Sequence, residues 1–211
     1  MAKIQAAGQL SDKKVAGTLS FYENNADAYA QQTVSVDLTG LYEQFLTLLP
    51  KGGRILDVGC GSGRDLRAFE LLGFDCVGID PSPSLARIAH EYSGCETIVA
   101  GVEDLDFKSS FDGVWACASL LHLPRHRFPA ALNRILIALK PGGLFFISMQ
   151  QGEGESVAPD GRLFSRYSVS ELNELVSGAG FSVLQEWITD DAQQKRRAIS
   201  WVNMLACRRE E

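Results

Sequence analysis

Gly59, Gly61 and Gly63 follow directly on the run Ile55-Leu56-Asp57-Val58, and their spacing limits the chemistry open to this chain. With no Cβ at these places, bare backbone N–H groups and a helix N-terminus come within reach of a ligand. A dinucleotide fingerprint needs G-x-G-x-x-G, but here Arg64 stands where the third glycine would let the helix pack close. A P-loop is excluded because no Gly-Lys-Ser/Thr follows. The turn suits a nucleoside without a pyrophosphate. Asp80 ends the next apolar run (Cys76-Val77-Gly78-Ile79), where a carboxylate can accept both hydroxyls of a ribose. Its competing role is a cap on the following helix, for which Ser82 is the alternative.

Positioning these residues requires alternating strands and helices. Strands are expected at 54–58, 75–79, 96–99, 111–116 and 144–149. Helices are expected at 64–72, at 83–92 with Ser82 as N-cap and Pro83 in its first turn, and at 125–139. Alternation of this kind predicts an α/β, Rossmann-like doubly wound sheet whose carboxyl-end crevice binds ligand. The tail departs from it. Residues 152–167 read as a loop, Ser168-x-x-Glu171 opens a helix to about Ser177, and 181–188 and 200–207 read as an antiparallel pair at the sheet edge. The prediction is a seven-stranded mixed sheet, mostly parallel, with an antiparallel strand near its C-terminal edge. Upstream, residues 1–17 carry no pattern and are expected to begin disordered. Leu19, Tyr22, Ala26 and Tyr29 share one helical face, either docking a helix or covering a ligand; Leu41, Phe45, Leu48 and Leu49 form the stripe of a second helix.

Length and composition fit one soluble domain, with 45% hydrophobic and 22% charged residues. A formal charge of −6 and the lack of a basic stripe argue against nucleic acid as partner. The short run Lys195-Arg196-Arg197 reads as a solvated face. Five scattered cysteines without C-x-x-C fit a reducing, cytoplasmic setting, and no apolar run is long enough to span a membrane. No metal site is expected: His122 and His126 are four apart, but Pro124 interrupts the helix and no third ligand is evident.

Five stretches together resemble the class I S-adenosylmethionine-dependent methyltransferases. They are Ile55 to Gly63, Val77-Gly78-Ile79-Asp80, Glu103-Asp104-Leu105, Phe111-Asp112-Gly113-Val114-Trp115 and Leu139-Lys140-Pro141-Gly142-Gly143, in family order over about residues 52–150. In style the chain is similar to the small bacterial stand-alone enzymes of tellurite resistance and ubiquinone biosynthesis. The resemblance implies S-adenosyl-L-methionine as cofactor and S-adenosyl-L-homocysteine as product. It places Gly59, Cys60, Gly61 and Gly63 beside the methionine part and ribose, and Asp57 and the Ala118 carbonyl at the ammonium. Asp80 would hold the ribose hydroxyls, with Pro81 and Ser82 beside the adenosine, while Val102 and Glu103 would read adenine. Tyr22 and Tyr29 would cover the cofactor from an N-terminal helical lid (residues 1–50) on a catalytic domain (51–211). Gly101 stands where many relatives carry Asp.

A small-molecule acceptor and a monomer or homodimer are expected, with His122 the candidate general base or else a structural histidine. Arg162, Arg166, Tyr167 and Trp201 are candidate acceptor contacts, the arginines suiting a carboxylate or phosphate. Two rival readings are a non-catalytic S-adenosylmethionine-binding subunit and an NAD(P)-dependent oxidoreductase. The second would need the other glycine spacing and a Tyr-x-x-x-Lys pair, which the sequence lacks.

Overall fold

The computed structural model describes residues 2–193 and 198–210, so Lys195-Arg196-Arg197 lies outside the described residues. Nine strands and seven α-helices are described: α1 (Ala2–Asn24), α2 (Ala26–Thr33), α3 (Thr39–Leu46), β1 (Arg54–Val58), α4 (Arg64–Leu71), β2 (Asp75–Asp80), α5 (Pro83–Ser93), β3 (Glu96–Val99), β4 (Phe111–Cys117), α6 (Phe128–Ala138), β5 (Leu139–Gln150), β6 (Glu155–Val157), β7 (Leu163–Ser165), α7 (Val169–Gly178), β8 (Phe181–Asp190) and β9 (Ser200–Arg208). The main sheet runs β3-β2-β1-β4-β5-β9-β8. Pairings through β5 are parallel, and β9 is antiparallel to both its neighbours, as the alternation of the sequence and its departure in the tail imply.

Because successive strand residues point to opposite faces, the sheet has two cores. Leu56 and Val58 of β1 join the larger one, which α6 and α7 cover through Leu132, Ile135, Leu172 and Val176. Ile55 joins the other with Phe45, Leu66, Phe69, Trp115 and Phe146, beneath α3, α4 and α5. Trp115 and Phe146, on neighbouring strands, stack at 3.9 Å with planes 13° apart. Asp57 lies on this second side, two residues after Ile55.

Five expectations change. The N-terminus is helical from Ala2, not disordered, and the expected single helix through Tyr29 breaks at Asn25 into α1 and α2. The first helix forms because it is strapped down. Thr18 Oγ1 accepts from the Leu163 N–H at 2.8 Å, Lys14 pairs with Glu155 at 2.6 Å, and Glu23 accepts from both Ser82 and Ser84. In the second helix Leu48 is exposed, and Tyr42 takes its place beside Phe45 and Leu49. The 152–167 segment contains the hairpin β6–β7, on which α1 rests, instead of being wholly loop. Finally, β5 starts at Leu139, with a register shift opposite Phe111–Gly113.

The close-packing glycine that seemed missing is Gly63. It caps α4 in the left-handed region, and a Cβ there would stand 2.7 Å from the Ala89 Cα of α5. The helix at risk is therefore paired against another helix. Gly63→Ala is expected to destabilise the fold by about 2–4 kcal/mol, combining left-handed strain with overpacking. Urea unfolding measures this, and a loss well under 1 kcal/mol would show that the two helices can part freely.

Candidate active site

Two adjoining cavities open at the carboxyl ends of the central strands. The first, about 420 Å³, is enclosed by the tips of β1, β2 and β4, by the 100–104 turn and by α1. At its base the Asp80 carboxylate ties two loops together. One oxygen accepts from the Gly61 N–H at 3.0 Å and the other from the Ser82 N–H at 2.9 Å. Two lone-pair positions remain on the carboxylate for a diol, one per oxygen. Burial pushes Asp80 up to about 6, against the pull of those two N–H groups. Ser82 also caps α5 and donates to Glu23 at 2.6 Å, so the capping role at this corner falls to Ser82.

Glycine is needed here for different reasons at different positions. At Gly61 (φ +54°) a Cβ would meet the Tyr29 ring at 3.3 Å, on the cavity wall. At Gly59 (φ +72°) it would lie 2.5 Å from Ser119 Cβ, so the loop after β4 closes directly on that turn. That loop passes through Ala118, whose φ of +53° is unusual for a residue with a side chain.

Of the sequence candidates, Tyr22, Tyr29, Gly59, Gly61, Asp80, Pro81, Ser82, Val102, Glu103, Ala118 and His122 line this cavity, and Asp57, Cys60 and Gly63 do not. Cys60 is buried in the core beneath α4. Asp57 is buried with one carboxylate oxygen lacking a partner among the described residues. Desolvation and the adjacent Asp65 push its carboxyl well up, Arg64 only partly opposing them. Glu103 reaches Arg127 at 3.3 Å, and Asp104 accepts from the Gly101 N–H, so this turn carries its own carboxylate despite the glycine.

The second cavity, about 460 Å³, shares Tyr22, Tyr29, Ala118 and His122 with the first. His122 stands at the junction. Its Nδ1 lies 2.7 Å from the Leu163 carbonyl oxygen, which can only accept, so the proton sits on Nδ1. Nε2 is then the acceptor for the Tyr22 hydroxyl, also at 2.7 Å. Burial lowers His122 to about 4, holding it neutral at physiological pH. Arg162 and Trp201 line this cavity, but Arg166 and Tyr167 do not: Tyr167 is core, packed on Phe128, and Arg166 bonds Ser156 outside. Sequence reading missed Arg64, Ser148, Gln150, Trp187, Thr189 and Asn203, which also line it. Alternation along β5 was the available signal for Ser148 and Gln150. Among the described residues no three His, Cys, Asp or Glu side chains cluster as metal ligands, and no helix is long and apolar enough to cross a membrane.

A seven-stranded sheet with this order, and a glycine turn facing a strand-end carboxylate, make an α/β, Rossmann-like fold with its crevice at the carboxyl ends of the strands. Residues 30–186 match the family model described as a methyltransferase domain, and the chain belongs to that family. It is 38% identical over 109 residues to a ubiquinone biosynthesis O-methyltransferase of Xanthomonas axonopodis pv. citri, covering 48% of this chain and 44% of that one. It is 34% identical over 116 residues to a tRNA (carboxymethyluridine(34)-5-O)-methyltransferase of Arabidopsis thaliana, covering 54% and 28%. These matches thus span less than half of either relative. Among solved structures, the Burkholderia thailandensis 1,6-didemethyltoxoflavin-N1-methyltransferase, with bound 1,6-didemethyltoxoflavin and S-adenosylhomocysteine, superposes with a TM-score of 0.78 at 22% identity, over 96% of this chain and 90% of that one.

The two perturbed groups make opposite demands on stability. Asp80 is raised, so its folded form binds a proton more tightly and its contribution is lost as pH rises from about 4 to about 6. His122 is lowered, so its contribution is lost as pH falls from about 6.5 to about 4. Relative to the wild type, Asp80→Asn should make stability rise more with pH over that window and His122→Gln should make it rise less, each read from melting temperature against pH. Parallel curves for all three proteins would contradict the burial of these groups.

Proposed function

We propose that this chain transfers a methyl group from S-adenosyl-L-methionine to a small-molecule acceptor. The supporting observation is the pair of cavities meeting at Tyr22, Tyr29, Ala118 and His122: a donor and an acceptor could each occupy one and face each other there. The first cavity fits the cofactor. Gly61 leaves room that a Cβ would fill, and Asp80 keeps an open lone pair on each oxygen for ribose hydroxyls. Pro81, Ser82, Val102 and Glu103 would border the adenosine, Gly59 and the Ala118 carbonyl the methionine end. Asp57, Cys60 and Gly63 would act from behind, shaping the turn. The S-adenosylhomocysteine bound by the fold neighbour supports this choice of cofactor.

When bound, S-adenosylmethionine supplies a sulfonium methyl whose C–S electron pair returns to sulfur as an acceptor lone pair takes the carbon, so the protein's tasks are orientation, exclusion of water and disposal of the acceptor's proton. Residues 1–50 serve as the lid on a catalytic domain of residues 51–211, and α1 supplies Val15, Thr18, Leu19 and Tyr22 to the cofactor wall. The Tyr22 oxygen can receive a proton from an acceptor O–H or N–H while its own passes to His122 Nε2. Burial makes an imidazolium costly, so this pair suits orienting and polarising the acceptor, with complete proton removal reserved for an acidic one. The net charge of −6 disfavours a nucleic-acid backbone, and the five free thiols suit the cytoplasm. The working unit is a monomer or homodimer.

Asp80→Ala should weaken S-adenosylhomocysteine binding about tenfold or more in calorimetry, through loss of charge-assisted hydrogen bonds. Tyr22→Phe and His122→Gln should each lower turnover of an identified acceptor by about 10–100-fold, leaving cofactor affinity within about threefold. Unchanged affinity in the first variant would remove the ribose role of Asp80; unchanged turnover in the other two would remove the relay.

A further inference from the structure

The second cavity indicates what kind of acceptor it holds, an inference that rests on the methyl-transfer reading. Its floor is one face of the sheet near the end of β5. Ser148 pairs with Asn203 and Asn203 with Trp187; Gln150 pairs with Trp201 and Trp201 with Thr189. Directly opposed residues in antiparallel strands share a side, as do residues two apart on one strand, so these six make a two-row patch. All six line the cavity. One row back, Phe146 and Leu205 continue the same face as buried core. The change from hydrocarbon to hydroxyl and amide therefore falls at Ser148 and Asn203.

Rings dominate the rest of the lining. Trp187 and Trp201 are diagonal neighbours on the sheet, and Tyr22, Tyr29 and Phe164 come from the two N-terminal helices and the hairpin. Such surfaces favour a flat ring, which offers a large contact area and stacks on its faces.

Among the described residues, charge disfavours an anionic ligand. Arg64 and Arg162 are the arginines among them that line this cavity, and each is paired with a carboxylate. Arg64 grips both oxygens of Asp65, at 2.6 and 3.0 Å, and Asp65 is held from behind by Tyr42 and Trp115. Arg162 binds Asp160 through two nitrogens and lies over the Phe21 ring at 4.3 Å. Asp37, Asp190 and Asp191 add further carboxylates to the lining. Arg162, bound to Asp160, thus does not offer the unpaired phosphate or carboxylate site that its sequence position suggested. At the floor, the Asn203 amide nitrogen bonds Thr189 Oγ1 and the Trp201 carbonyl, while Asn203 Oδ1 is buried with no partner among the described residues. A ligand N–H or O–H would satisfy it.

We propose that the acceptor is a neutral, planar aromatic ring or heterocycle carrying an N–H or O–H donor, seated on Trp187 and Trp201 with its donor edge toward Gln150 and Asn203. The test is calorimetry on the full chain, first with S-adenosylhomocysteine and then, on the saturated protein, with three probes of similar size. These are carbostyril (a lactam N–H), N-methylcarbostyril (no donor) and quinaldate (an anion). Carbostyril should bind about tenfold more tightly than either of the others, the worth of one satisfied buried acceptor. Trp187→Ala should weaken carbostyril about tenfold, and Asn203→Leu should erase the difference between carbostyril and its N-methyl form. Quinaldate binding as tightly as carbostyril, equal binding of the two lactams to the wild-type chain, or no binding of any probe would each overturn the proposal while leaving the cofactor site standing. A chain that fails to bind S-adenosylhomocysteine would instead remove the methyl-transfer reading beneath it.

Discussion

The buried carboxylate of Asp80 is the joint on which the site depends. It sits at the end of β2, yet its two bonds reach the glycine turn after β1 and the N-terminus of α5. Through Ser82 the same joint continues to Glu23, and so to the lid helix. A carboxylate in that position has a cost. It is almost wholly buried, and two backbone N–H groups do not fully replace water, which is why its proton affinity rises. A ligand diol would complete its hydrogen bonding. The protein thus holds an under-satisfied carboxylate at the base of the first cavity, at a cost in stability.

A second carboxylate performs the opposite task. Asp65 is buried too, but it receives Arg64, Tyr42 and Trp115, and despite desolvation these partners hold its carboxyl below the ordinary range. Four bonds to one side chain fix the start of α4 against the sheet and α3. They also hold the Arg64 guanidinium beside the second cavity, paired to both oxygens of Asp65. Asp65 is a finished internal pair, while Asp80 keeps free valence. That difference, more than their shared burial, separates the two carboxylates.

The N-terminal helix shows how separate parts of the chain converge. α1 contributes to the wall of the first cavity, and Tyr22 at its end reaches both cavities. It is held by contacts to the β6–β7 hairpin, to the α5 N-terminus and, through Asp12, to Arg127. The hairpin in turn supplies the Leu163 carbonyl that fixes the tautomer of His122. The position of α1 and the direction of the Tyr22–His122 hydrogen bond are therefore set by one short piece of sheet.

The sequence alone determined the features that neighbouring residues impose on each other. The strand–turn–helix around Gly59 and Gly61, Asp80 at the end of its strand, the Ser82 cap with Pro83 and the Ser168 cap with Glu171 all rest on spacing within a few residues, and each stands in the fold. So does the antiparallel closing pair, β8 beside β9. Tertiary structure decided whatever depends on distant partners. Gly63 is glycine because of Ala89, the opening residues are helical because Leu163, Glu155 and Ser82 receive them, and Tyr167 is core because Phe128 lies against it. Whether an arginine near the pocket is free or neutralised turns on Asp65 and Asp160, and the floor of Ser148, Gln150 and Asn203 exists only once β9 enters the sheet beside β5. Local propensity acts over a few bonds along the chain, whereas charge pairing, close packing and cavity walls are set by distance in space, which the sequence order does not carry.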